Sequence, residues 1–385
     1  MNSHKSVSQP PSAIRHERNY GIDLLRIVSM LMVTILHLSG HGGFQGTPES
    51  GAVFYILSAF IVICYGAVDI FALISGFVMY GTRTKYSRLV SLWFQVFFYS
   101  AGLSIYERVM YNITPLYPAF FPVLSSKFWY FSAYFFMFFF IPSFNELLDR
   151  FSKKSAARFL AAGFFVLCIL SNIHKFLGTD DIGIQNGYNM VWISYCYLVG
   201  AYIKKYQPDF EKISSKKYIL TIIICNILTY TDSTLLYKLQ PLTGMSLLLP
   251  SQLLITYTSP TVFIPSICML MLFGRIKITR GKSIVKFFAA TSFSVYIIQN
   301  HSYIWFNFIT KFSTFFNNPT AAEKIGLVLG CSVAFYLAAS LVDFLRIQLF
   351  RLLHIDLLSK KICELLNKLF NKTIKKRTEK NGFGN

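Results

Sequence analysis

Charge is scarce in this chain of 385 residues: Asp, Glu, Lys and Arg together make up 14% of it, where soluble domains carry about 25%. So few charges exclude an ordinary soluble globule, whose surface would leave wide apolar areas facing water. Acidic residues are the scarcest, 17 against 37 basic ones, for a net charge of +20. Such a balance can signal nucleic acid. Here, however, Lys and Arg sit in short loops between apolar stretches and in the C-terminal segment, where they orient spans in a bilayer. Membrane lipid is therefore an expected partner and nucleic acid is not. Paired cysteines are lacking too. Cys64, Cys168, Cys196, Cys225, Cys268, Cys331 and Cys363 lie singly, with no C-x-x-C and no His/Cys ligand spacing. A disulfide framework and a metal site are thereby disfavoured, and the thiols read as small packing groups. No cleavable leader is expected, because the first twenty residues are polar and the first apolar run leads into charged sequence.

What the chain has in abundance is hydrocarbon. Hydrophobic residues make up 54%, mean hydropathy is +0.48, and aromatic runs such as Tyr134 to Phe140 recur. A membrane span needs about 20 predominantly apolar residues. That rule predicts an all-α, polytopic transmembrane helical bundle of about ten spans, near 22–39, 52–80, 88–110, 128–148, 156–174, 189–204, 217–237, 253–274, 284–309 and 323–350. The 52–80 run exceeds one straight span, so a tilt or a break near Gly66 is expected. With the N-terminus cytoplasmic, thirty positive residues fall on inner segments and six on outer ones, which places both termini inside. The chain divides into a cytoplasmic tail over 1–20, a transmembrane domain over 21–350, and a basic amphipathic C-terminal segment over 351–385. The last of these lies on the inner leaflet and is disordered beyond Thr373.

Ionisable residues inside spans are costly and therefore informative. The first span holds Asp23, Arg26 and His37. Arg26 and His37 are eleven residues apart, so on a helix they return to within roughly 20° of one face, about 16 Å apart along the axis. Asp23 lies one turn before Arg26 and can pair with it. Arg26 either snorkels to the interface or grips phosphate in bidentate fashion. An uncharged imidazole in a groove of low dielectric suits general-base work on a hydroxyl. The spacing fits a phosphate-bearing donor that enters from the cytoplasmic side and reaches toward the membrane interior.

Five segments in order resemble the acyltransferase-3 family of integral membrane O-acyltransferases. The first is Arg26, ten residues, then His37, flanked by Asn19-Tyr20-Gly21-Ile22-Asp23-Leu24-Leu25 and Gly42-Gly43. The second is Val68-Asp69-Ile70-Phe71-Ala72-Leu73-Ile74-Ser75-Gly76-Phe77. The third is Lys85-Tyr86-Ser87-Arg88-Leu89-Val90-Ser91-Leu92-Trp93, and the fourth Phe128-Trp129-Tyr130-Phe131-Ser132-Ala133-Tyr134. The fifth is Ser292 to His301, where this chain has Gln299 at the position at which many relatives carry His. The resemblance spans roughly residues 18 to 350, and its flanks look like the surface-polysaccharide branch. It implies acetyl-CoA as acyl donor, a catalytic His37, and donor-binding roles for Arg26 and Arg88; Asp23, next to Arg26, is the second catalytic candidate. It further implies a hydroxyl of a glycan or lipid-linked glycan as acceptor, at the inner or plasma membrane of a bacterium, in a membrane-only form of the family.

Asp69, Ser75, Trp129, Tyr130 and His301 are candidate substrate contacts. Each has a plainer alternative. Asp69 can cap or pair within the bundle. Ser75-Gly76 can be a close-packing pair. Trp129 and Tyr130 can belong to an interfacial belt, and His301 lies off the face occupied by Gln299. A homo-oligomer is compatible with the sequence. The rival to an enzyme is a secondary transporter or flippase of a glycan or small anion, against which the chain offers no inverted repeat. A membrane sensor that uses the same pocket for binding alone is the further alternative.

Overall fold

The computed structural model describes residues 18–112, 117–124, 126–177, 179, 183–236 and 253–381. The expected tail over 1–20 lies outside the described residues up to 17, as does the end of the 217–237 span. The helices are α1 (Tyr20–His41), α2 (Ala52–Tyr65), α3 (Ala67–Met79), α4 (Tyr86–Tyr111), α5 (Trp129–Phe138), α6 (Ile141–Arg150) and α7 (Lys153–Phe176). They continue with α8 (Met190–Lys205), α9 (Ser215–Thr231), α10 (Pro260–Gly274), α11 (Lys282–Asn300), α12 (Ala321–Leu352) and α13 (Ile355–Asn381). No strand occurs among the described residues.

Among them, five helices are long and apolar enough to cross a membrane: Tyr20–His41, Ala52–Met79, Tyr86–Tyr111, Lys153–Phe176 and Ala321–Leu352. The α5–α6 pair makes a sixth if it is a single span, bent by 57°. Pro142 sits in the first turn of α6, where it lacks the N–H that would continue α5. The remaining helices of the ten expected, α8, α9, α10 and α11, are shorter or less apolar. Ten of the sixteen residues of α8 are buried, so it is enclosed by other helices. By contrast, Ile223 and Ile227 on α9 and Leu337, Leu341 and Leu345 on α12 are exposed. Apolar outward faces of this kind need lipid as solvent, and the chain is a multi-pass membrane protein.

Local chemistry explains where helices begin and break. Asn19 caps α1 by accepting from the N–H groups of Gly21 (2.9 Å) and Ile22 (3.2 Å). Its Nδ2 donates to the Gly274 carbonyl at 2.8 Å, which ties the start of α1 to the end of α10. The break near Gly66 is present between α2 and α3, and the Gly66 carbonyl accepts from Ser266 Oγ of α10. Helix α10 begins later than residue 253 because Ser259 caps it and Pro260 fills its first position. Thr320 and Glu323 form a capping box that starts α12. Helix α13 runs on to Asn381, past Thr373; its Lys-rich end has residues of good helix propensity and no Gly or Pro.

Helices α3 and α8 pack backbone to backbone. A Cβ on Gly76 would collide with the Tyr197 carbonyl, and one on Gly200 with the Leu73 carbonyl. Neither obstacle is a side chain that can swing away. Gly200→Ala is therefore expected to destabilise the protein by about 1–3 kcal/mol, the usual range for overpacking. The midpoint of thermal unfolding in detergent measures it, and an unchanged midpoint would contradict the close contact.

Candidate active site

The acidic and basic residues of α1 meet at its first turns. Asp23 is 3% exposed and lies between two guanidinium groups, Arg18 Nε at 2.5 Å and Arg26 NH1 at 3.2 Å. Such a carboxylate costs little to bury while both partners remain, and a great deal once they are removed. Arg26 is therefore aimed by Asp23 and does not hang free in the interface. Tyr130 and Tyr134 of α5 lie within electrostatic range of Arg26, and Tyr134 within range of Arg88 as well. Tyr130 and Tyr134 stack with ring centroids 6.4 Å apart and an interplanar angle of 18°. A column of aromatic rings thus leads from Arg26 toward the middle of the bundle.

His37 stands at the other end of that column. It borders an enclosed cavity of about 50 Å³, together with Phe71, Trp129, Tyr130, Tyr257 and Tyr296. Residues of α1, α3, α5 and α11 line it, so the imidazole looks inward and not at lipid. Gln299 of α11 is fully buried and places its Oε1 3.3 Å from His37 Nδ1, while its Nε2 donates to Met30 Sδ at 3.6 Å. This amide orientation gives both ends of Gln299 a partner. An amide oxygen can only accept, so the proton of a neutral imidazole lies on Nδ1 and Nε2 keeps the lone pair. Trp305 packs edge-on against the His37 ring at 4.9 Å, and the His41 ring lies 6.2 Å away.

The other candidates divide. Trp129 and Tyr130 border the cavity, and the Tyr130 backbone N–H donates to Tyr296 Oη at 3.2 Å. Asp69 is fully buried and accepts from Trp192 Nε1 of α8 at 2.8 Å, while its Oδ2 has no partner. The two residues before it, Ala67 and Val68, line the cavity, but it does not. Ser75 donates to the Phe71 carbonyl of its own helix at 2.9 Å and stands off the cavity. His301 is turned away as well. Its Nε2 lies 3.2 Å from Ser104 Oγ of α4, and its Nδ1 accepts the Tyr303 N–H, capping the turn that follows α11. Arg88 is exposed in a separate cleft of about 640 Å³ that also holds Lys85, Arg346, Arg351 and Lys360.

Two features are missing from the sequence-based candidates. Gln299 stands there only as a departure from a pattern, yet it is the hydrogen-bond partner of His37, 262 residues away in the chain. Asp343 is fully buried and gathers Tyr99 Oη (2.7 Å), Arg346 Nε (2.6 Å) and Ser294 Oγ, to which Gln95 donates at 2.5 Å. It locks α4, α11 and α12 together behind the site. Among the described residues, no group of three or more His, Cys, Asp or Glu could hold a metal ion.

Residues 19–342 match a family model, that of acyltransferase-3, described as an acyltransferase domain. No curated protein and no solved structure matches. The matched stretch contains α1, the cavity and Gln299, and it ends one residue before Asp343. A match over most of the chain decides the family: this protein belongs to the acyltransferase-3 family and is a membrane acyltransferase.

Proposed function

We propose that the protein transfers an acetyl group from acetyl-CoA to a hydroxyl of a cell-surface or lipid-linked glycan, in the inner or plasma membrane of a bacterium. The observation that carries this reading is the pairing of His37 with Gln299 at the edge of an enclosed, aromatic-lined cavity. In the same helix, a guanidinium aimed by Asp23 lies about 16 Å away. The flanks of α1 support the surface-polysaccharide branch of the family. The charge asymmetry of the loops supports ten spans with both termini cytoplasmic.

The chemistry follows from the groups present. The acceptor oxygen attacks the thioester carbonyl carbon while His37 Nε2 takes the hydroxyl proton. The tetrahedral oxyanion then collapses, the carbon–sulfur bond breaks, and the imidazolium returns its proton to the departing thiolate. An ester and free CoA result. Arg26 holds donor phosphate at the cytoplasmic end, and Arg88 adds to it from its cluster of Lys85, Arg346, Arg351 and Lys360. Trp129 and Tyr130 flank the path of the pantetheine arm.

Labelled acetyl-CoA, given to the purified protein with and without glycan, tests the reading. Label in ester that disappears in His37→Ala supports it. Glycan passage in proteoliposomes without any ester would favour a transporter instead. Arg26→Ala is expected to raise the KM for acetyl-CoA by about 10–100-fold, the worth of one charge-assisted phosphate contact. Its kcat at saturating donor should change little. A fall in kcat at constant KM would remove Arg26 from donor binding.

A further inference from the structure

A second cleft lies at the end of the bundle where α1 finishes. Its walls are the loop after α1 (Gln45), α2 (Ser58, Tyr65), the stretch before α8 (Tyr188), the turn after α9 (Ser233) and the stretch before α10 (Thr256). Its volume is about 430 Å³, within the range of small-molecule sites at roughly 300–1,000 Å³. The cavity at His37, about 50 Å³, falls far below that range, so a sugar ring has to be held elsewhere. Tyr65 borders both voids.

Between them stands one cluster of rings. Tyr65 lies 5.1 Å from Tyr257, Tyr257 lies 4.8 Å from Tyr188, and Tyr188 lies 4.7 Å from Trp129. Ring faces beside amide and hydroxyl groups are what a carbohydrate requires, since its C–H faces pack on aromatics while its hydroxyls hydrogen-bond. Gln45 Nε2 already donates to Ser58 Oγ at 3.0 Å, and Ser233 Oγ to the Tyr230 carbonyl. Each keeps acceptor capacity for a ligand. Among the described lining residues one cation, Lys175, is found, which suits a ligand with less negative charge than the several phosphates of CoA. The strongly basic clefts, with Arg88 and Arg346 in one and Arg18, Arg275, Lys277 and Lys282 in the other, lie at the opposite end of α1.

We propose that this cleft is the acceptor site, that it binds a carbohydrate, and that Tyr65 is where the reacting hydroxyl passes into the His37 cavity. The proposal rests on the acyltransfer reading above and places its two substrates at opposite ends of α1.

The test uses the full chain in nanodiscs, labelled acetyl-CoA, and surface glycan extracted from a strain lacking this protein. Tyr188→Ala and Ser233→Trp are expected to raise the glycan KM by about tenfold, the worth of one ring contact or one blocked subsite. The KM for acetyl-CoA should stay within about twofold, and Tyr188→Phe, which keeps the ring, should recover most of the glycan affinity that Tyr188→Ala loses. Binding of the same glycan to immobilised protein is measured in parallel and should weaken in step. If both variants fold with unchanged glycan KM and binding, the cleft is not the acceptor site, whatever the enzyme does. If wild type binds glycan but forms no ester, the acyltransfer reading fails. Loss of that binding in the two variants then still supports the cleft, and its retention overturns it.

Discussion

Replacement of His37 by alanine is expected to lower kcat by about a thousandfold, within the range for removal of a general base. The acetyl-CoA KM should hardly move, because the imidazole lies at the cavity and not at the guanidinium end of α1. The expectation rests on enclosure. His37 packs against Trp305 and bonds Gln299 inside the bundle, so water cannot readily replace it in position. His37→Gln keeps bulk and hydrogen bonding without a basic nitrogen, and it should be equally inactive. Comparable yield and thermal midpoint for both variants assign the loss to chemistry. Activity within tenfold of wild type in either would remove His37 from the proton transfer.

The second large effect is expected at Gln299. With leucine in its place the imidazole loses the acceptor that keeps a proton on Nδ1 and holds the ring plane. Turnover should fall by about 10–100-fold, as when a partner that orients a reacting histidine is removed. Gln299 acts through His37, so donor KM should stay constant. Gln299→His, which places another ring nitrogen able to accept, should recover much of the activity, whereas Gln299→Leu should not. Equal activity in all three proteins would reduce Gln299 to a packing residue.

How much of this was legible in the sequence depends on how local each signal is. Arg26 and His37 belong to one helix, and helical periodicity alone put them on one face. Capping at Asn19, Thr320 and Ser259 is equally local. Gln299 is different. Its partner lies in another helix 262 residues away, and nothing in its neighbours says that α1 and α11 pack side by side. Asp343 was hidden in the same way, since its value lies in residues of α4 and α11. His301 is an ionisable group in an apolar setting, but α11 ends there and the ring caps the turn that follows. Span counting met a different limit. Hydropathy records how apolar a stretch is, not whether lipid or protein surrounds it, so an enclosed helix such as α8 and a lipid-facing one such as α12 read alike. The helical tail from Ile355 to Asn381 shows the converse: many charges do not prevent a helix when propensity is high and no breaker intervenes.

Whether the donor threads from Arg26 to His37 can be seen directly. A cryo-EM map of the protein with a non-hydrolysable acetyl-CoA analogue, its thioester sulfur replaced by methylene, is the most direct measurement. The account predicts phosphate density against Arg26, the pantetheine arm beside Tyr134 and Tyr130, and the acyl carbonyl carbon at the cavity next to His37 Nε2. An analogue bound with its acyl end remote from His37, or a His37 ring turned out to lipid, would contradict it.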